Sequence, residues 1–168
     1  MSLPGPANGH LRQLRIMVGA FLAAPVLVLV AMWFVLGDTL TDPTPWPFVI
    51  GLVVLTVIGD GVLRIFGYRT VMLPRGLSRK DAMARSRLSY QAALFRRMTI
   101  ADLPMLLSLA LAFLTPGGFY LVLFGCALTL NLLVVHVWPT QRSIDRTIDS
   151  LELDGAQSHL REALGLPR

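Results

Sequence analysis

Residues 16–37 read IMVGAFLAAPVLVLVAMWFVLG, 22 positions without one charge. An α-helix rises ~1.5 Å per residue, so this run covers ~33 Å and matches the ~30 Å hydrocarbon core of a bilayer. Arg12 and Arg15 precede it, as basic residues precede a secretory signal. The apolar stretch outruns the ~7–15 residues of a signal-peptide core, which points to an uncleaved anchor. That reading takes the chain out of water, and the other segments are read outward from it.

Residues 38–45, DTLTDPTP, form a turn that Asp and Pro keep from continuing the helix, and Trp46 follows as an interfacial aromatic. The stretch 47–67 is apolar as far as Gly59, then carries Asp60 and Arg64, with Tyr68 at the opposite interface. The stretch 119–138 has 20 residues and no charge, and Pro139 ends or kinks it. Between these two, 103–114 has only 12 apolar residues. As a helix they cover ~18 Å, too little to span alone. Starting at Leu94 gives 21 residues but includes Arg96, Arg97 and Asp102. One helix over 79–114, half in and half out of the membrane and kinked at Pro104, is the economical reading. Ser78 with Asp81 resembles the capping box that would start it. In the tail, Ile144, Ile148 and Leu151 lie opposite Arg142, Asp145, Arg146 and Asp149. Leu160, Ala163 and Leu164 follow Gly155, so one or two surface helices are expected there.

The expected fold is all-α: a polytopic integral membrane protein with four transmembrane helices in two antiparallel hairpins and cytoplasmic helical extensions. Its parts are an N-terminus (1–14), a first transmembrane hairpin (15–67), a basic segment (68–93), a second hairpin (94–138) and an amphipathic tail (139–168). Composition agrees. Of 168 residues 54% are hydrophobic and 15% charged, at a mean hydropathy of +0.63. A soluble domain carries ~25% charged residues, so an ordinary soluble domain and a disordered chain are both excluded. Cys126 is the single cysteine, which removes an intrachain disulfide.

The net charge of +5 is informative by its placement. The turns 38–45 and 115–118 hold no Lys or Arg, while the N-terminus, central segment and tail are rich in them. Cytoplasmic loops keep positive charge, so both termini and the central segment are expected inside a bacterial inner (cell) membrane. The basic segment then faces anionic headgroups at the cytoplasmic face. Nucleic acid is not an expected partner, because the basic residues lie within reach of the bilayer and no recognition fold accompanies them.

Ionisable groups inside a span are costly and mark candidate sites. Asp60, Asp102 and Asn131 come from three spans. With boundaries near Gly67, Arg97 and Trp138 they all lie ~8–11 Å inside by helical rise. Arg64 is one turn from Asp60 and can pair with it, and Arg96 or Arg97 is in reach of Asp60 or Asp102. The candidate site is therefore an intramembrane polar network of Asp60, Arg64, Arg97, Asp102 and Asn131, structural or ion-coupling. Neighbouring arginines and purely apolar outer halves favour the structural role. A proton or cation site with Asp102 as the titrating carboxylate is the other reading.

His136 is expected as an interfacial, hydrogen-bonded histidine, and His10 and His159 as solvated ones. The chain has no HExxH, phosphate-binding glycine loop or GxSxG. No catalytic residue, cofactor or metal is expected, and the reading leans away from an enzyme. Residues 101–114, ADLPMLLSLALAFL, resemble the carboxylate-bearing helix of rotary ATPase ring subunits over that one helix, without the family's glycine-repeat partner helix. Small multidrug exporters also have four short spans, but their acidic residue in the first span has no counterpart here.

The expected function is a non-catalytic accessory or assembly subunit of a larger membrane complex, whether respiratory, transport or envelope-building. Its partners would be other membrane-protein subunits or further copies of itself. The alternative is a small oligomeric ion- or proton-coupled transporter or channel component using Asp60 and Asp102. The threading is directly testable. In a Cys126→Ser background, Thr41→Cys should react with an impermeant maleimide in intact cells, and Ser89→Cys only after the membrane is broken. The opposite pattern would reverse the topology.

Overall fold

The computed structural model describes residues 7–74, 76–138, 140–153 and 157–164, and of 7–12 the backbone alone. Arg75, Pro139, Gly155 and the side chains of His10 and Arg12, all invoked above, lie outside the described residues. Among those described the chain is helical, without strands. The helices are α1 (Ala7–Leu36), α2 (Trp46–Phe66), α3 (Arg79–Ala101), α4 (Leu103–Ala112), α5 (Gly118–Leu132), α6 (Gln141–Leu151) and α7 (Leu160–Ala163). A 3-10 turn, Gly37–Thr41, follows α1, and a π turn, Leu133–Val137, continues α5. Among the described residues three helical stretches are long and apolar enough to cross a membrane: Gln13–Thr41, Trp46–Phe66 and Gly118–Val137.

The continuous helix expected over 79–114 is instead two helices, broken at Asp102. Pro104 has no N–H to offer the carbonyl of Ile100, and its ring crowds that carbonyl. The ladder resumes on either side, with Asp102 N–H on the Met98 carbonyl at 3.0 Å and Leu106 N–H on the Asp102 carbonyl at 3.1 Å. The Met105 N–H turns to the Thr129 hydroxyl of α5 at 3.1 Å. A backbone group freed in an apolar medium needs such a partner, and Ser or Thr on a neighbouring helix commonly supplies it.

α5 is the centre of the bundle. Half of its apolar window (50%) is buried, against 22% for α2 and 11% for α1. It packs on α1, α2 and α4. Lipid tails are as apolar as leucine, so helices associate here by close packing, which small residues permit. Gly125 is the tightest point: a methyl group there would overlap the Ser108 hydroxyl of α4 and meet the Pro104 carbonyl at 3.1 Å. The Cys126 thiol, buried on the same helix, donates to the Pro25 carbonyl of α1 at 3.4 Å.

The two turns that lack Lys and Arg meet at one end of the bundle. Gly117 N–H donates to the Asp42 carboxylate (3.2 Å), Phe119 N–H to the Thr39 hydroxyl (3.2 Å), and the Tyr120 hydroxyl to the Leu40 carbonyl (3.0 Å). The Phe119 bond occupies a first-turn N–H of α5 that no intrahelical carbonyl can reach. Gly117 adopts φ +69, and a side chain there would also lie 2.6 Å from the Pro43 carbonyl.

At the other end the tail helices lay their apolar face on the core and keep Arg142, Arg146 and Asp149 exposed. Ile144 and Leu151 of α6 and Leu160 of α7 pack with Leu14, Val18, Leu63, Tyr90, Leu94, Met98, Leu132 and Val137 in one buried cluster. Ser86 of α3 donates to the Ser158 carbonyl at 2.7 Å, and Thr70 N–H reaches Ser150 Oγ at 2.9 Å.

The α4–α5 contact generates a prediction. Gly125→Ala should lower stability by about 1–3 kcal/mol through overpacking, and Thr129→Val by about 1–2 kcal/mol by orphaning the Met105 N–H. Gly19→Ala, where nothing lies within 4 Å, should be near neutral. Unfolding midpoints in detergent check all three.

Candidate functional site

The arginine-rich end is built where α2 stops, α3 passes, and the π turn delivers the chain to α6. Its first part centres on Asp60. Arg64, one helical turn on, places Nε 2.7 Å from Oδ2. The buried His136 places Nε2 2.7 Å from Oδ1. An ionised carboxylate only accepts, so Nε2 carries the proton. In the neutral imidazole Nδ1 is then an acceptor, and the Tyr68 hydroxyl stands 3.5 Å from it, at the long limit of a hydrogen bond. The π turn makes this alignment. Trp138 N–H bonds the Leu133 carbonyl at 3.1 Å, five residues back, and the wider turn buries His136 and Val137 while leaving Val134 and Val135 exposed.

The second part centres on Arg97, which is fully buried. Nε donates to the Gly67 carbonyl (2.9 Å), one terminal nitrogen to the Ser143 hydroxyl (2.8 Å) and the other to the Thr147 hydroxyl (3.1 Å). The face of the guanidinium lies 4.1 Å from the centre of the Tyr68 ring. Arg97 forms no ion pair with a described residue. Its compensation comes from dipoles. Gly67 is the C-cap of α2, and the end of a helix carries about half a negative charge on its unpaired carbonyls. Arg96 joins in, donating to the Arg69 carbonyl. Beside Arg97 the phenol of Tyr90 is pushed up by burial, against the pull of the Arg97 charge, so it stays neutral and supplies no anion.

The five candidates from the sequence are thus divided. Asp60 and Arg64 are together. Arg97 is next door, joined to them through Tyr68 and His136. Arg96 and Arg97 bind carbonyls and hydroxyls where Asp60 or Asp102 was the expected partner, because the free carbonyls that end α2 are nearer. Asp102 lies at the α3–α4 break, partly exposed, its carboxylate without a hydrogen bond or ion pair to a described residue, and Asn131 is exposed. Sequence reasoning missed Tyr68 and His136 as links, because their meeting depends on the π turn.

A cavity of about 190 Å³ opens beside this network, walled by Arg64, Tyr68, His136, Thr140, Arg142 and Arg146. Among the described residues no three His, Cys, Asp or Glu side chains gather as metal ligands would. The network can hold charge in place and relay an orientation along Asp60–His136–Tyr68. Comparison with known protein families, curated proteins and solved structures gives no match.

Arg97→Lys keeps the charge but cannot reach three acceptors in one plane. We expect a loss of about 3 kcal/mol, because acceptors and charge are left unpaired in a buried site. Tryptic cleavage at Arg142 and Arg146 in the detergent-solubilised protein should accelerate about tenfold or more as α6 loosens.

Proposed function

We propose that the chain is a non-catalytic accessory or assembly subunit of a larger membrane complex, threaded four times with both termini cytoplasmic. In this reading the end of α3 with α4 forms the third crossing, paired with α5. The meeting of the two turns without Lys or Arg at one end supports a common outer face for both hairpins.

One observation carries the proposal: the buried polar network stops at the arginine-rich end. Beyond it the interior is apolar, with Leu36, Met105, Phe119 and Val122 in one cluster and Val49, Leu52 and Leu121 in another. The buried hydroxyls there are spent on backbone, Thr56 on the Leu52 carbonyl (2.7 Å), Ser108 on the Met105 carbonyl (2.8 Å) and Thr129 on the Met105 N–H. Among the described residues these hydroxyls are therefore not left to line a polar lane for an ion. The arginine-rich end meanwhile offers a platform of α3, α6 and α7, tied by Arg79–Glu162 and by Arg161–Asp145 at 2.6 Å. Such a surface suits a partner subunit.

The alternative, a small oligomeric ion- or proton-coupled transporter, draws support from Asp102, a carboxylate without a described partner at a helix break. Extraction in a mild detergent followed by mass analysis discriminates between the two. Stoichiometric unrelated membrane proteins are expected. A homo-oligomer whose proton-dependent flux in liposomes disappears in Asp102→Asn would overturn the subunit reading.

A further inference from the structure

We propose that the cavity between the end of α2 and the start of α6 binds the phosphate of an anionic lipid headgroup. This rests on the membrane placement of the chain and not on its being a subunit.

Three guanidinium groups face the cavity, from Arg64, Arg142 and Arg146, and no carboxylate lines it. Their states differ. Arg64 is neutralised by Asp60. Arg146 is held by the Tyr68 ring, 5.2 Å from its centre. Neither Arg142 nor Arg146 forms an ion pair with a described residue. Arg97 adds a further positive charge behind Tyr68 and Ser143, itself without an anion. The site is therefore a concentration of positive charge whose own acidic group, Asp60, is already engaged by Arg64 and His136. Planar guanidinium forks match phosphate oxygens two at a time, and the Thr140 hydroxyl on the same wall, which accepts from Ser143 N–H, keeps its own proton to donate. α6 opens on the cavity with Thr140 as its N-cap, so the positive end of an 11-residue helix points the same way.

Size and position select the ligand. A volume of 190 Å³ equals that of about six water molecules. Whole-molecule ligand sites begin at about 300 Å³, so this one takes a small anionic group whose remainder stays outside. The rim says where that remainder goes. Val135 lines the cavity and is 54% exposed, and Ile65 and Phe66 at the end of α2 are 56% and 49% exposed. An apolar flank beside a cationic pocket at the membrane face fits acyl chains attached to a phosphate.

The test uses the full chain in phosphatidylcholine nanodiscs containing phosphatidylglycerol, with retained lipid read by native mass spectrometry and apparent affinity by titration of the lipid fraction. The unmodified chain should retain one phosphatidylglycerol. Arg142→Gln/Arg146→Gln should weaken retention about 25-fold, at about fivefold per arginine. Lys80→Gln/Arg85→Gln removes the same charge from the exposed part of α3 and should leave retention within about twofold. Arg142 has no partner to lose among the described residues, so Arg142→Gln alone keeps the fold and should cost about fivefold. Equal loss in both pairs would assign the effect to diffuse charge and overturn the site, as would full retention in the pocket pair. Saturation by inorganic phosphate in detergent, with no lipid retained in nanodiscs, would overturn the headgroup assignment in favour of a free anion.

Discussion

A full positive charge sits where α2, α3 and α6 meet, and no described carboxylate answers it. Removing a guanidinium from water costs several kcal/mol, and a buried cation persists only where its donors are all matched. Arg97 meets that condition with a helix-end carbonyl, two hydroxyls and an aromatic face. Each partner belongs to a different structural decision. The carbonyl requires α2 to stop at Gly67. The hydroxyls require α6 to fold back with Ser143 and Thr147 inward. The ring requires Tyr68 to lie between Arg97 and His136. The arrangement of the whole arginine-rich end follows from satisfying this one side chain.

The same accounting governs the interior. Pro104 breaks the path from α3 to α4 and frees a backbone N–H, and Thr129 recovers it from α5. Gly125 and Ser108 let the two helices come close enough for that bond. The first turn of α5 is recovered in turn by Thr39 and Asp42. Short polar side chains in this bundle thus serve backbone first.

Much of this architecture was legible because the letters that encode it are local. Residues 16–37 and 119–138 announce helices by length and lack of charge, and Thr115-Pro116-Gly117-Gly118 announces a turn. Asp60 and Arg64 pair because four residues make one helical turn. The rest was hidden for identifiable reasons. Helical rise sets an expected depth but not the direction around the axis, so Asp102 and Asn131, expected level with Asp60, make no contact with its carboxylate. The partner of Arg97 is a carbonyl that every residue owns, and a search for opposite charges passes over it. His136 reaches Asp60 only because the chain widens to a π turn. In the tail the apolar face of Ile144 and Leu151 was legible from its spacing, whereas Ser143 and Thr147, buried beside it as partners of Arg97, carry no apolar signal.

The two ends of the bundle are fastened differently, and together they constrain its mechanics. At one end the loops 37–45 and 115–120 are stitched by three hydrogen bonds, and at the other Arg97 binds α2 and α6 to α3. Helices pinned at both ends behave as beams with fixed supports: they bow between the supports and do not rock about either one. The break at Asp102, on the path from Arg97 through α4 to the loop 115–120, lies between the pins and is where such bending would concentrate. The freedom left to the bundle is therefore a bow between its two fastened ends, and not a swing of one end against the other.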